Sequence, residues 1–338
     1  MNIMAVESSC DETAVSIVAD GRRVLTDRIA SQVDLHRIYG GVVPEIASRK
    51  HIEAIYGLSE QALSEANLCR QDIDAVAVTY APGLIGAVLV GVNFAKAAAL
   101  AMNRPLIPVH HIRGHIAANY IAYPELEPPF LCLVVSGGHT MIVDVQDYTQ
   151  MEILGGTLDD AAGECFDKIG RVLGMPYPGG AALDKAAQLG DESKYQLPRA
   201  HAGKNPYDMS FSGLKTAALN LIHHAQQIGE ELDINSLCAS FCAAVSDTLV
   251  PRTIAAMQQT GYKKLAVAGG VAANSRIRRD LQSAAAELGA ELYLPPLSLC
   301  GDNAAMIGAQ AYFEYRAGNL AGMDLNAYAT KSILGEKV

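Results

Sequence analysis

The feature that most constrains this chain is a layout that occurs twice. From Met1 to Ala19 an apolar run (Ile3 to Val6) leads into a small polar turn (Glu7 to Thr13) and a second apolar run (Ala14 to Ala19). From Phe130 to Val145 the pattern returns as Leu131 to Val135, then Ser136-Gly137-Gly138-His139-Thr140, then Met141 to Val145. Two short apolar runs flanking such a turn predict a β-hairpin. The same hairpin heading each half predicts a degenerate internal repeat.

Behind the first hairpin, Pro44 to Ala66 reads as a helix and Ala75 to Tyr80 as a strand. The turn Ala81-Pro82-Gly83 then leads into a long Ala-rich helix through Leu100 and a short strand, Leu106 to Val109. Behind the second, Gly155 to Gly174, Ala181 to Gln188, Ser212 to Ile228, Asn235 to Gln259 and Ser275 to Leu288 read as helices, with Lys264 to Ala268 a strand. Strands alternating with helices behind each hairpin predict two α/β lobes around mixed sheets, and 338 residues suffice for a core in each. Pro124 to Pro129, with three prolines and two glutamates, is the most linker-like segment, so the lobe junction is expected near it.

Composition excludes several classes. A formal net charge of −10 argues against coating nucleic acid by bulk electrostatics, so any RNA contact must be local. Candidate basic patches are Arg22-Arg23, Arg49-Lys50-His51, Lys263-Lys264 and Arg276, Arg278, Arg279. The start is too short an apolar stretch for a secretion signal. Leu84 to Met102 is the only membrane candidate, and Asn93, Lys96 and its glycines suit a core helix better; a cytoplasmic protein is expected. The seven cysteines lack CxxC spacing and read as reduced, mostly structural thiols.

Three sets of residues carry chemistry. In His110-His111-Ile112-Arg113-Gly114-His115, two imidazoles at i and i+4 project to one helix face at a spacing that can chelate a cation. The glutamate of HExxH is missing, which disfavours a protease. Asp302, in a turn before the apolar helix Ala304 to Tyr312, supplies a third ligand or serves as that helix's N-cap. Two His and one carboxylate leave positions open for substrate and suit iron or zinc. Glycine turns at Ser136-Gly137-Gly138, Tyr177-Pro178-Gly179-Gly180 and Ala268 to Asn274 let the backbone approach a phosphate or ribose, although none forms a P-loop or a full GxGxxG. Asp11, Glu12, Asp167 and Asp184 lie beside these turns as helix caps, ribose ligands or bases.

In order along the chain, Glu7-Ser8-Ser9-Cys10-Asp11-Glu12-Thr13, Gly40 to Glu45, His111 to His115, Val135 to Thr140, Gly163 to Lys168, Tyr177 to Gly180, Phe211 to Thr216 and Ala268 to Asn274 resemble the universal tRNA threonylcarbamoyladenosine synthesis proteins, the Gcp/TsaD family. The resemblance spans nearly the whole chain. It implies an actin-like (ASKHA, ribonuclease H-like) fold of two duplicated α/β lobes with a nucleotide in a central cleft, divided as 1–108 with 303–325, 109–302 with helical insertions, and a tail 326–338. It implies transfer of a threonylcarbamoyl group from threonylcarbamoyl-AMP to the N6 amine of the adenosine 3′ of the anticodon, in tRNAs reading codons that begin with A, with release of AMP. His111, His115 and Asp302 then hold Fe2+, or Zn2+ as the alternative; Val134, Val135, Ser136, Gly137, Gly138, Asp167, Gly180, Asp184 and Asn274 line the nucleotide; Asp11 or Glu12 receives the amine proton. Implied partners are tRNA, a smaller paralogous pseudo-enzyme (TsaB-like) and a P-loop ATPase (TsaE-like).

Three positions depart from the family's usual pattern: Ser8, Ala81 and Gly301, the last expected to loosen the Asp302 turn. The rival readings are a small-molecule kinase of the same fold, which has no use for His111 and His115, and a non-catalytic scaffold of the modification complex.

Overall fold

A computed structural model of the chain describes residues 1–199 and 203–334. In chain order the first elements are β1 (Asn2–Glu7), β2 (Glu12–Ala19), β3 (Arg23–Ser31), α1 (Val33–Arg37), α2 (Pro44–Glu65), β4 (Ala75–Ala81), α3 (Ile85–Met102), β5 (Leu106–His110) and α4 (His111–Ala122). Next come β6 (Phe130–Val135), β7 (Thr140–Val145), β8 (Met151–Gly156), α5 (Ala162–Val172), α6 (Gly179–Ala187), α7 (Ser212–Ile228) and α8 (Ile234–Thr260). The last are β9 (Lys264–Ala268), α9 (Ser275–Leu288), β10 (Glu291–Tyr293) and α10 (Ala304–Arg316).

The elements form two compact units, one of Met1–Pro128, Gln146–Glu152 and the chain from Pro295, the other of Pro129–Val145 and Ile153–Leu294. The sheet of the first runs β3-β2-β1-β4-β5 and that of the second β10-β9-β6-β7-β8. Both follow one plan. The leading strand pairs antiparallel with its hairpin mate (β1 with β2, β6 with β7) and parallel with the strand after the helices (β1 with β4, β6 with β9). The repeat visible in the two hairpins thus extends to the whole sheet.

Strand β1 shows why these segments read as unbroken apolar runs. Its alternate side chains face opposite sides. Met4 and Val6 join a core with Ile55 and Leu58 of α2 and Val88 and Val92 of α3, whereas Ile3 and Ala5 join one with Ala118 of α4 and Met306 and Ile307 of α10. A strand covered on both faces has no polar side to display.

Four expectations change. Gly155 to Gly174 is not one helix: Gly155 and Gly156 end strand β8, and α5 starts only at Ala162. A Cβ on Gly155 would lie 2.5 Å from Tyr207, so that backbone packs too closely for a helix's side-chain envelope. The third strand of each sheet, β3 and β8, went unread because β3 is half exposed and polar. Relative to the division 1–108, 109–302 and 326–338, residues 109–128 and 295–302 fall in the first unit, since α4 packs on α10, and residues 326–334 pack there too, with Ala327 and Ile333 buried. Finally, among the described residues two helices rather than one are long and apolar enough to cross a membrane: α3, and α8, whose apolar window is 78% buried.

Candidate metal centre and glycine turns

In the first unit β1, β4 and β5 run parallel, so the carboxyl ends Glu7, Ala81 and His110 share one edge of the sheet. Side chains 100 residues apart in sequence therefore meet there. His110 ends β5 and caps α4, its Nδ1 accepting from the Ile112 amide at 3.3 Å, which puts His111 and His115 in the first turns of the helix on one face. Gly114 lets that helix approach α10: a Cβ there would lie 2.6 Å from Ile307 Cδ1. The approach brings in Asp302, just ahead of α10. Asn303, not Asp302, caps α10, its Oδ1 accepting from the Met306 amide at 2.8 Å. The cap reading of Asp302 is thereby corrected.

Ligand atoms of His111, His115 and Asp302 all lie within 4.8 Å of one another. Asp302 Oδ1 is 3.2 Å from His115 Nε2 and 3.5 Å from His111 Nε2. Among the described residues His115 Nδ1 has no hydrogen-bond partner, and Nε2 has the Asp302 carboxylate 3.2 Å away without a hydrogen bond to it, although the side chain is 1% exposed. Leaving a nitrogen of a buried imidazole unsatisfied costs about 1–3 kcal/mol. A cation bound by the three side chains would engage the His115 nitrogen that faces Asp302, so the residues present fit iron or zinc.

The sequence reading assigned no role to Glu7 or Ser9, and both serve this centre. His111 Nδ1 donates to Glu7 Oε2 at 3.0 Å and lies 3.2 Å from Ser9 Oγ, which leaves Nε2 facing Asp302. Glu7 is itself fixed by the Ser9 amide at 2.5 Å and Thr79 Oγ1 at 2.6 Å. A carboxylate behind a histidine orients the ring and raises the basicity of the other nitrogen. Burial pushes the Glu7 pKa up, but His111 outweighs it and holds the carboxylate ionised. Burial likewise pulls His111 down, while Asp302 and Glu7 overcome it and lift its pKa to about 9. The signal available in the sequence was a charged residue at the end of an otherwise apolar, doubly covered strand.

Asp11 follows in the turn between β1 and β2, and Glu12 opens β2. Burial raises the Asp11 pKa. Burial also lifts Glu12 to about 7, against the Ser31 hydroxyl that donates to Oε1 at 2.7 Å; Glu12 Oε2 has no hydrogen-bond partner among the described residues.

In the second unit the turns after the adjacent parallel strands β6 and β9 lie side by side. A Cβ on Gly269, whose φ is +93°, would sit 2.4 Å from the Val135 carbonyl, and one on Gly163 would sit 2.4 Å from that of Ser136. Val134 and Val135 are buried in β6, the Ser136 amide donates to His139 O at 2.8 Å, and a side chain built on Gly137 or Gly138 would meet nothing within 4 Å. Asp167 Oδ1 accepts from the Gly179 amide at 2.8 Å, tying α5 to the start of α6, where Gly180 follows. Asp184 Oδ1 accepts from the Ser275 amide at 3.1 Å and its hydroxyl at 2.8 Å, while Asn274 caps α9 through the Ile277 amide at 3.1 Å. The fold therefore brings Ser136 to Gly138 together with the Gly269 turn, Asp167 with Gly180, and Asp184 with Asn274.

The basic patches are spent inside the fold only in part, since Arg23, Arg49, Lys50, Lys263 and Arg279 are exposed. Arg22 lies over the rings of Tyr120, Tyr148 and Phe313, His51 is fully buried, and Arg276 pairs with Glu192 and Asp280.

Residues 23–309 match the family model described as tRNA N6-adenosine threonylcarbamoyltransferase. A protein of that description from Clostridium botulinum (strain 657 / Type Ba4) is 52% identical over 337 residues, covering 100% of this chain and 99% of its own. Another, from Moorella thermoacetica, is 53% identical over 326 residues, covering 96% and 95%. Among solved structures, T. kodakarensis HypF superposes with a TM-score of 0.64 at 15% identity over 96% of this chain and 49% of that one. Component A of the Acidaminococcus fermentans (R)-2-hydroxyglutaryl-CoA dehydratase gives 0.54 at 14% identity over 94% and 99%. At such identities the likeness speaks for the fold, which is the actin-like one, and not for the reaction. Identity above one half along the full length does more: this chain belongs to the tRNA N6-adenosine threonylcarbamoyltransferase family.

Proposed function

We propose that the chain transfers a threonylcarbamoyl group from threonylcarbamoyl-AMP to the N6 amine of the adenosine 3′ of the anticodon, releasing AMP. The observation that carries this reading, within the family, is the buried His115, whose ring nitrogens make no hydrogen bond among the described residues, gathered with His111 and Asp302 within 4.8 Å. A small-molecule kinase or a scaffold gives those residues nothing to do.

Bound by His111, His115 and Asp302, iron or zinc supplies a Lewis acid with open coordination positions. The chain's own residues do the rest. Glu7 and Ser9 hold the His111 ring. The exposed Gly137 and Gly138 and their neighbour Ser136 offer backbone donors to a phosphate, and Asp167, Gly180, Asp184 and Asn274 line the nucleotide. A mixed anhydride already carries a good leaving group, so orientation and oxyanion stabilisation account for most of the acceleration. As the amine attacks the carbamoyl carbon its proton must leave, and Glu12, with a pKa near 7, is suited to accept it, with Asp11 beside it.

The test is transfer from pre-formed threonylcarbamoyl-AMP to unmodified tRNA, followed by nucleoside analysis, with and without the partner proteins. Absence of modified adenosine under every combination would refute the reading. The protein acts in the cytoplasm, in a complex with a smaller paralogous subunit and a P-loop ATPase. The packed pair α2 and α3 exposes Ile52, Tyr56, Ile85 and Leu89 as a docking face for the paralogue. Charge reversal at Glu53, exposed on α2, is expected to weaken that complex; an intact complex counts against the assignment.

A further inference from the structure

After α10, residues 317–334 run back along the first unit and reach α4, the helix that carries His111 and His115. The Ala321 amide donates to Leu106 O at 2.9 Å, Lys96 Nζ to Leu325 O at 3.1 Å, Tyr328 N to Tyr80 O at 2.9 Å and Gly83 N to Ala329 O at 3.2 Å. The Lys331 ammonium lies 5.1 and 4.6 Å from the ring centres of Tyr80 and Tyr328. The segment is thus held along its length, past the carboxyl ends of the strands that carry the site.

Its last contacts are to α4. His110 Nε2 donates to Lys331 O at 3.1 Å, and the tautomer this requires leaves Nδ1 free to accept from Ile112, so one protonation state serves both bonds. Arg113, buried on α4 between the two ligand histidines, donates to Ile333 O through Nε at 3.1 Å and Nη2 at 2.8 Å. Its Nη1 donates to Glu314 Oε1 on α10 at 2.9 Å, and Glu314 is held in turn by Gln310 Nε2 at 2.8 Å and Asn319 Nδ2 at 2.6 Å. One guanidinium therefore joins α4, which carries two ligands, α10, which follows the third, and the carboxyl-terminal strap.

A buried ion pair is weak as a source of stability, since apolar residues of similar shape often serve as well. What a forked guanidinium provides is direction. We propose that Arg113 is a positioning residue for the metal centre, and that the strap ending at Ile333 is its second anchor. By clasping Ile333 O on one side and Glu314 on the other, it fixes the rotation of α4 and hence where His111 and His115 point relative to Asp302. Metal sites need their ligands held to within about 0.5 Å and 10–20°. The proposal rests on the metal-centre reading above.

Cobalt(II) titration of the metal-free full-length chain tests it, because the d–d absorption bands report ligand geometry rather than stability. Two variants remove the clasp differently. Arg113→Met with Glu314→Gln discharges both partners together and orphans neither charge. A chain ending at Lys331 deletes Ile333, and one ending at Leu334 is its control. Cobalt affinity is expected to fall on the order of tenfold in the double variant and in the Lys331 chain, with displaced d–d bands, while the Leu334 chain keeps the parent affinity and spectrum. Circular dichroism should show folded protein throughout. Parent-like bands and affinity in both clasp variants would overturn the proposal. Absence of cobalt uptake by the unaltered chain would instead overturn the metal centre, and the proposal with it.

Discussion

The two units build their sites at the same place on the same sheet plan, yet from different materials. In the first, the edge where β1, β4 and β5 end is crowded with ionisable side chains: Glu7, Asp11, Glu12, His111, and Asp302 from the approach to α10. In the second, the edge where β6 and β9 end is made of backbone, with Ser136, Gly137 and Gly138 against the Gly269 turn and carboxylates that cap helices. On the reading proposed above, the shared plan serves a cation on one copy and anion-binding amides on the other. The difference teaches that the plan fixes where a site forms, while side chains at the strand ends decide its charge.

That contrast can be broken directly. His115→Ala should abolish metal retention and lower transfer by about 100-fold or more, while AMP binding, measured by calorimetry, stays within about twofold of the parent. Gly137→Val should do the reverse, keeping the metal and weakening AMP. Loss of both properties in either variant would show that the two units do not divide the work this way.

A finer cut is Glu7→Gln, which keeps the shape of the side chain but not its charge. Metal affinity should drop about 10- to 100-fold, with the protein still folded by circular dichroism. An unchanged affinity would make Glu7 a bystander. Smaller still is an effect on the metal-free protein alone: His115→Leu removes a buried ring whose nitrogens make no hydrogen bond among the described residues and should stabilise the apoprotein by about 1 kcal/mol in urea unfolding. Destabilisation of that apoprotein would mean that the ring packs as an ordinary core histidine.

The smallest effect concerns Glu12 and pH. Its folded pKa of about 7 lies above the ordinary glutamate value of 4.5, so between those two values the folded state binds more protons than the unfolded one. Stability is therefore highest below pH 4.5 as far as this group is concerned, and it falls as pH rises toward 7. Glu12→Gln should flatten that decline, by on the order of 1 kcal/mol once screening at its partly exposed site is allowed for. An identical pH slope in parent and variant would remove the basis for a base poised near neutrality.

Much of this was legible in the residues, for reasons that differ by element. The hairpins and the helices α2, α3, α7 and α9 follow from apolar periodicity and turn chemistry, which are local. His111 and His115 were legible because i and i+4 on a helix is a local spacing, and Asp302 entered only through the family resemblance and its turn. What stayed hidden was long-range. Glu7 pairs with a residue 104 positions away and Arg113 with one 220 positions away, so no window of sequence connects them. Strand β3 was missed because its exposed face carries charge, and the split of Gly155 to Gly174 because Gly155 is dictated by contact with Tyr207. Asn303, beside Asp302, caps α10 through the Met306 amide and donates from Nδ2 to the Gly301 carbonyl at 2.9 Å.

The account stands or falls on whether the three side chains hold a metal. Titration of metal-free protein with Fe2+ under anaerobic conditions, and separately with Zn2+, compares the parent with the variant carrying both His111→Ala and His115→Ala. One equivalent taken up per parent chain and none by the variant is the predicted result; equal uptake by the two proteins would contradict it.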